Sequence, residues 1–131
     1  MAESVRMAMV GCGQIADAHL RAIGRVDGAE LVCAVDVFED RAKKVVETYG
    51  AVHWTTSYEQ VLDDPSVEVV ILCLPHDLHK SFSIDALAAS KHVLVEKPMA
   101  LSEEEAVEMV AEAAQSGYFL SVGQSTRFMP A

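Results

Sequence analysis

The sequence predicts an α/β fold of the doubly wound Rossmann type, built on a parallel sheet of six strands. Short β-branched runs alternate with helical stretches along the chain, which is typical of right-handed βαβ units. The longest apolar run, residues 67–74, is interrupted only by Glu68, as expected for a parallel strand covered on both faces. A glycine-rich turn at residues 11–16 joins the first strand to the first helix.

Each element can be placed from its local pattern. The predicted strands cover residues 5–10, 30–35, 52–54, 67–74, 92–95 and 118–122. The predicted helices cover residues 15–23, 39–49, a short stretch from 57, 77–89, and 102 to just before 117. Gly50 stands where a glycine commonly ends a helix. Ser57 with Gln60, and Ser102 with Glu105, have the spacing of capping boxes at helix starts.

Composition narrows the function classes. A chain of 131 residues predicts one domain with a sizeable core, and its net charge of −10 argues against nucleic acid or an anionic membrane as partner. No apolar run reaches the ~20 residues of a membrane span, and no secretory leader is visible, so we expect a cytoplasmic protein. Cys12, Cys33 and Cys73 are far apart and form no C-x-x-C, so we expect neither a disulfide framework nor a metal site.

The turn after the first strand has the pattern of a phosphate-binding loop. Gly11 allows a tight turn, Gly13 lets the main chain approach a pyrophosphate, and Ala16 permits close packing of helix on strand. Gln14 and Ile15 complete the loop, where main-chain amides at the helix start can bind the phosphates. The alternative is a tight turn that binds no ligand.

Asp36 closes the second predicted strand, roughly 20 residues after the glycines. An acid in this position accepts hydrogen bonds from a ribose diol and repels a 2′-phosphate, which favours NAD over NADP. Arg41 lies close enough in sequence to reach a 2′-phosphate, so NADP is the alternative cofactor. Asp36 could also act only as a loop-capping aspartate.

Two segments close the fourth and fifth predicted strands at the same sheet edge. Leu74, Pro75, His76 and His79 follow the long apolar run, and ligands of open α/β sheets bind beside such strand ends. We expect these four residues to line the cofactor crevice. A strand terminator followed by a helix N-cap at Asp77 is the alternative, and for His79 taken alone it is the better one.

Glu96, Lys97 and Pro98 follow the fifth strand. We expect Glu96 and Lys97 to lie against the cofactor, and Lys97 to polarise a substrate hydroxyl or assist its proton loss. Pro98 restricts Lys97 to extended geometry and allows a cis peptide bond. A surface Glu-Lys pair before a proline is the alternative.

The chain resembles the glucose–fructose oxidoreductase/inositol dehydrogenase (Gfo/Idh/MocA) family over essentially its whole length. The resemblance is carried, in this order, by the glycine loop, Asp36, L-P-H-D-L-H and H-V-L-V-E-K-P. The resemblance implies an N-terminal NAD(P)-binding domain and hydride transfer on sugars, cyclitols and related small molecules. The implied site residues are Gly11, Gly13 and Ala16 in the phosphate loop, Asp36 at the ribose, Pro75 and His79 in the crevice, Lys97 as the active-site lysine, and Arg127 after the sixth strand.

The sequence departs from the family pattern at two places. Many members carry asparagine at the position of His76, so the contact near the cofactor differs here. Residues 124–126 read Q-S-T where many members have an F-N-R-like stretch, which leaves the substrate-side contacts open.

We expect residues 1–123 to form the NAD(P)-binding domain and residues 124–131 to begin the connection to a second α/β domain. That domain would hold most of the substrate, further acid/base residues and the interface of any homo-oligomer. The chain alone should then bind NAD(H) but turn over poorly or not at all, because catalysis requires both reactants in near-attack geometry. Two alternatives remain: an NAD-binding sensor or partner subunit without catalysis, and a Rossmann domain for another adenosine ligand such as S-adenosylmethionine or coenzyme A.

Overall fold

A computed structural model of the protein describes residues 4–123. Six strands form one sheet: β1 Val5–Val10, β2 Ala29–Val35, β3 His53–Thr55, β4 Val69–Leu72, β5 His92–Glu96 and β6 Leu120–Gly123. The helices are α1 Ala16–Arg25, α2 Glu39–Tyr49, α3 Tyr58–Leu62, α4 His79–Ala88, preceded by a 3₁₀ turn His76–Leu78, and α5 Glu103–Ser116. The predicted doubly wound α/β fold is confirmed.

The strand order creates a crevice in the middle of the sheet. All neighbouring strands are parallel, in the order β3-β2-β1-β4-β5-β6. The chain winds outward from β1 on one side and from β4 on the other, and Val10 at the end of β1 pairs with Leu72 at the end of β4. Because the chain reverses direction here, the loops leaving these two strands diverge, and open α/β sheets bind ligands at this point.

The central strands are buried on both faces, which explains why their sequences are apolar without alternation. In β1, Val10 belongs to a core cluster that includes residues of α3, α4 and α5. Its neighbour Met9 belongs to a second cluster that includes residues of α1 and α2. The helices therefore hold the sheet from both sides and fix the ends of β1 and β4 in a rigid frame.

Helix ends were predicted with mixed success. The second helix has the predicted bounds, and Gly50 ends it in the left-handed conformation at φ +78°. Ser102 caps α5 by accepting from the Glu105 amide at 3.2 Å, although the Glu105 carboxylate accepts from Leu101 rather than completing the box at Ser102. The capping box predicted at Ser57 is wrong, since its side chain makes no capping bond. A turn in which the Ser57 amide donates to Thr55 Oγ1 precedes α3 instead.

The fourth strand is shorter than the apolar run that predicted it. Strand pairing covers only Val69–Leu72, yet Val67 is buried and Leu74 packs against the core. Apolar character reports burial, and Val67 is buried and Leu74 partly buried without belonging to the strand. The predicted helix 77–89 likewise begins as a 3₁₀ turn and becomes α-helical at His79. Within residues 4–123, no helix has the length and apolar character needed to cross a bilayer.

Candidate cofactor and active site at the carboxyl edge of the sheet

Gly11 closes β1 in a conformation that only glycine adopts without strain. Its φ is +92°, and its amide donates to the Val35 carbonyl at 2.8 Å. A Cβ at this position would lie 2.1 Å from the carbonyl oxygen of Cys73, at the end of the neighbouring strand. The tight turn predicted for Gly11 is therefore required by the protein's own main chain.

The rest of the glycine loop has features that packing does not explain. A Cβ on Gly13 would meet no atom of residues 4–123 within 4 Å. Within the described part of the chain, the main-chain amides of Gly13, Gln14 and Ile15 find no protein acceptor. Ala16 begins α1 and is fully buried against the sheet, which is the close helix–strand packing predicted for it. Amides of this kind at a helix start are suited to bind an anion.

Asp36 lies directly beside this loop, at the end of β2. Only 8% of its surface is exposed, and both carboxylate oxygens accept main-chain hydrogen bonds at 2.8 Å, from Cys12 and from Phe38. The carboxylate thus ties the glycine loop to the loop after β2. Each oxygen has two lone pairs, so both retain capacity for a further donor such as a ribose hydroxyl.

A cleft of about 340 Å³ opens at the switch point between β1 and β4. Five of the predicted site residues line it: Gly11, Gly13, Asp36, Leu74 and Pro75. Phe38 and Arg41 also line it, with the Arg41 guanidinium 4.8 Å from the centre of the Phe38 ring. Phe38 was missed by the sequence reasoning, although an aromatic residue two positions after Asp36 is a readable signal.

His79 has a different position from the one expected of it. The residue is completely buried, Nδ1 lies 2.6 Å from the Pro98 carbonyl oxygen and Nε2 lies 3.0 Å from the Leu74 carbonyl oxygen. Its side chain therefore joins the loop after β4 to the loop after β5 and lies beneath the surface of the crevice. His76 is exposed, and its ring lies edge-on to that of His79 at 5.5 Å.

Lys97 lies one strand away from the cleft, at the carboxyl end of β5. Its side chain is exposed, and the Lys97–Pro98 peptide bond is cis, as the sequence allowed. The neighbouring Glu96 side chain is mostly buried and pairs through Oε1 with Nε2 of His19 on α1. The sequence reasoning missed this pair. Arg127 and residues 124–126 lie outside the described residues.

Two thiols stand close to the loop but are poorly suited to be nucleophiles. Burial, reinforced by the charge of Asp36, raises the pKa of Cys12 to about 12, and burial with the charge of Glu96 raises that of Cys73 to about 12. With pKa values this high, both groups are neutral thiols near pH 7. Because the thiolate is the reactive form, neither is a good nucleophile. The two thiols therefore contribute packing, and the charged side chains beside the loop are those of Asp36 and Arg41.

The amino edge of the sheet carries a larger cleft, of about 510 Å³, lined by loops that lead into β4, β5 and β6. Its buried lysine, Lys91, donates to the main-chain oxygen of Asp64 and holds that loop in place. Neither a glycine loop nor a helix start opens into this cleft. The carboxyl edge is therefore the candidate functional site, because the amides of the glycine loop, the acid Asp36 and the exposed Lys97 lie there at the ends of β1, β2 and β5.

The fold and this edge define a dinucleotide-binding Rossmann domain. Comparison with known proteins makes the class specific: the family described as an oxidoreductase family with an NAD-binding Rossmann fold matches residues 5–124. The chain belongs to this Gfo/Idh/MocA family, as its motifs predicted.

Several relatives and solved structures are similar over nearly the whole chain. A scyllo-inositol 2-dehydrogenase (NAD(+)) from Bacillus subtilis is 34% identical over 132 residues, covering 100% of this chain and 39% of the relative. A 4-carboxy-2-hydroxymuconate-6-semialdehyde dehydrogenase from Sphingobium sp. is 33% identical, covering 96% of this chain and 40% of the relative. The chain thus spans about 40% of the length of these relatives.

Solved structures agree with this assignment. The WlbA dehydrogenase from Chromobacterium violaceum, in complex with NADH and UDP-GlcNAcA, superposes with a TM-score of 0.92 at 36% identity, covering 97% of this chain and 37% of that one. A 3-ketoreductase from Actinomadura kijaniata, in complex with TDP-benzene and NADP, has a TM-score of 0.92 at 29% identity, covering 98% and 40%. Similar folds therefore bind either form of the nicotinamide cofactor, and the family supports NAD(P) for this chain.

Proposed function

We propose that this chain is the cofactor half of an oxidoreductase that transfers hydride between NAD(H) and a hydroxyl or carbonyl group of a sugar, cyclitol or related small molecule. The observation that carries the proposal is the glycine loop. Among residues 4–123, the amides of Gly13, Gln14 and Ile15 have no protein acceptor, and no atom of these residues fills the space beside Gly13. A pyrophosphate at the start of α1 would supply both the acceptor and the missing contact.

The residues around the cleft fit the remaining parts of a dinucleotide. Asp36 would accept from the adenosine ribose, and Phe38 with Arg41 offers a flat surface beside it. Exposed apolar side chains border the same edge, with Ile15 63% and Val37 82% accessible. The surface is therefore partly apolar next to the unpaired amides, as expected for sites that bind small cofactors.

Lys97 would act at the reacting centre. A bound nicotinamide supplies the atom that donates or accepts hydride. Lys97 Nζ, as an amine, would accept the proton of a substrate hydroxyl during oxidation and, as an ammonium ion, return it to the carbonyl oxygen during reduction. Its exposed side chain leaves the ammonium free to reach a substrate held from outside residues 4–123.

NAD is proposed as the preferred cofactor, because the Asp36 carboxylate would repel a 2′-phosphate. Calorimetric titration of the chain with NADH and NADPH tests this, followed by Asp36→Ala and Arg41→Met. Asp36→Ala should lower NADH affinity and narrow the preference over NADPH, whereas Arg41→Met should weaken NADPH more than NADH. If Asp36→Ala lowered the affinities for NADH and NADPH by the same factor, Asp36 would only support the loop, since its carboxylate also accepts from the amides of Cys12 and Phe38.

Two further outcomes separate the remaining candidates. Competition of NADH by S-adenosylmethionine or coenzyme A at comparable affinity would favour another adenosine ligand, for which Lys97 has no evident task. Turnover is proposed to require a second domain, which would begin after residues 124–131. If a longer chain with a second domain gained no hydride transfer on polyols, a cofactor-binding sensor would become the better account.

A further inference from the structure

The exposed Lys97 lies between two residues, Glu96 and Pro98, that are each contacted by a histidine. Pro98 is held through its carbonyl oxygen by His79 of α4, at 2.6 Å from Nδ1. Glu96 is held through its carboxylate by His19 of α1. The two histidines come from helices on opposite faces of the sheet, so the main chain around Lys97 is fixed from both sides.

The contact between His19 and Glu96 is a partly buried one. The exposed fractions of the two side chains are 20% and 18%, so water screens the pair less than it would on the surface. A carboxylate only accepts, so His19 Nε2 carries the hydrogen and donates it. Gly123 pairs with Glu96 in the sheet, and a Cβ at this position would lie 3.2 Å from Oε1, so the glycine leaves room for the carboxylate.

The position of His19 links two parts of the proposed site. It lies on the first turn of α1, three residues after Ala16, and this helix begins at the glycine loop. The pair therefore connects the element proposed to bind pyrophosphate with the strand end that carries Lys97, across 77 residues of sequence. A connection of this kind would help to fix the distance between the two parts of the site that a bound dinucleotide spans.

We propose that His19 is a positioning residue for Lys97, and that it acts by holding Glu96 against the helix of the phosphate loop. The inference rests on the proposed NAD(H) function. A ligand that reaches from the glycine loop to the end of β5 should depend on the pair, whereas a ligand confined to the glycine loop and Asp36 should not.

The test compares NADH with ADP, which contains only the adenosine and pyrophosphate portion. Both are titrated by calorimetry into the wild-type chain, His19→Leu and His19→Gln, with His53→Leu as a matched control at an exposed histidine. His19→Leu should lower NADH affinity about tenfold, a common size for coupling between two sites, while ADP affinity stays unchanged. His19→Gln keeps a side-chain N–H donor and should recover most of the NADH affinity.

Glu96→Gln and the double variant complete the experiment. If the two residues act through each other, the loss for His19→Leu with Glu96→Gln together should be smaller than the sum of the separate losses. Equal weakening of NADH and ADP by His19→Leu, or no recovery with glutamine, would overturn the positioning role and leave the proposed cofactor function intact. Absence of NADH binding by the wild-type chain would instead overturn the proposed function, and the inference with it.

Discussion

Replacing Gly11 and Gly13 separately by alanine should divide folding from cofactor binding. Gly11→Ala would place a Cβ 2.1 Å from the Cys73 carbonyl oxygen at a residue whose φ is +92°. The left-handed conformation costs ~1–2 kcal/mol for an L-residue. Adding the displacement of the β4 main chain gives a destabilisation of about 4 kcal/mol, in the tail of single substitutions.

Gly13→Ala should have the opposite signature. The added Cβ would meet none of the described atoms of the protein within 4 Å, and the φ of Gly13 lies outside the left-handed region, so we expect no steric penalty in the folded state. Fewer conformations of the unfolded chain then raise the stability by about 0.4–1 kcal/mol. The same methyl would occupy the space proposed for the pyrophosphate, so NADH affinity should fall at least about tenfold, or ~1.4 kcal/mol.

Urea denaturation followed by circular dichroism measures the two stabilities, and calorimetry measures NADH binding. Wild-type NADH affinity in Gly13→Ala would refute the argument that a pyrophosphate lies against this loop. Wild-type stability in Gly11→Ala would refute the close approach of β1 and β4 at their carboxyl ends. The two glycines thus test different statements, one about the protein and one about its ligand.

Two other predictions concern stability. Ser102→Ala removes the side-chain cap of α5 and should lower the free energy of unfolding, measured by urea denaturation, by about 1 kcal/mol. Ser57 makes no capping bond, so Ser57→Ala should leave that free energy almost unchanged. Equal losses in the two variants would contradict the capping assignment. Burial raises the pKa of Cys12 and Cys73 from 9.0 to about 12, so the folded state retains protons that the unfolded chain releases. This contribution is complete below pH 9 and is lost as pH rises toward 12. The urea midpoint should fall less steeply with pH over that range when both cysteines are replaced by alanine. An unchanged dependence of the midpoint on pH would contradict the raised pKa values of the two thiols.

The fold was predictable because its signals are local. Alternating apolar runs and helical stretches, a glycine turn after the first strand and Gly50 at a helix end each require only a few neighbouring residues. The handedness of βαβ connections then predicts a parallel, doubly wound sheet, and the carboxyl ends of its strands meet at one edge. This placed Asp36, Leu74 and Lys97 at the same edge.

The parts that could not be predicted depend on contacts between distant residues. Sequence shows that His79 stands near a strand end, but not that both of its ring nitrogens lie against main-chain oxygens. The pairing of His19 with Glu96 spans 77 residues, and neither residue carries a local sign of the other. At Ser57 the local sign was present but misleading, since a turn formed with Thr55 replaced the cap.

The residues of this edge fall into two groups according to what explains them. Gly11, Asp36 and His79 are each engaged by the protein itself, through a close main-chain approach, two amide donors and two carbonyl oxygens. These contacts would give the three residues a role even in a domain that bound nothing. Gly13 and the loop amides have no such partner among residues 4–123, and within the same residues the exposed Lys97 forms no ion pair. The case for a ligand therefore depends on the second group, and experiments on function should begin there.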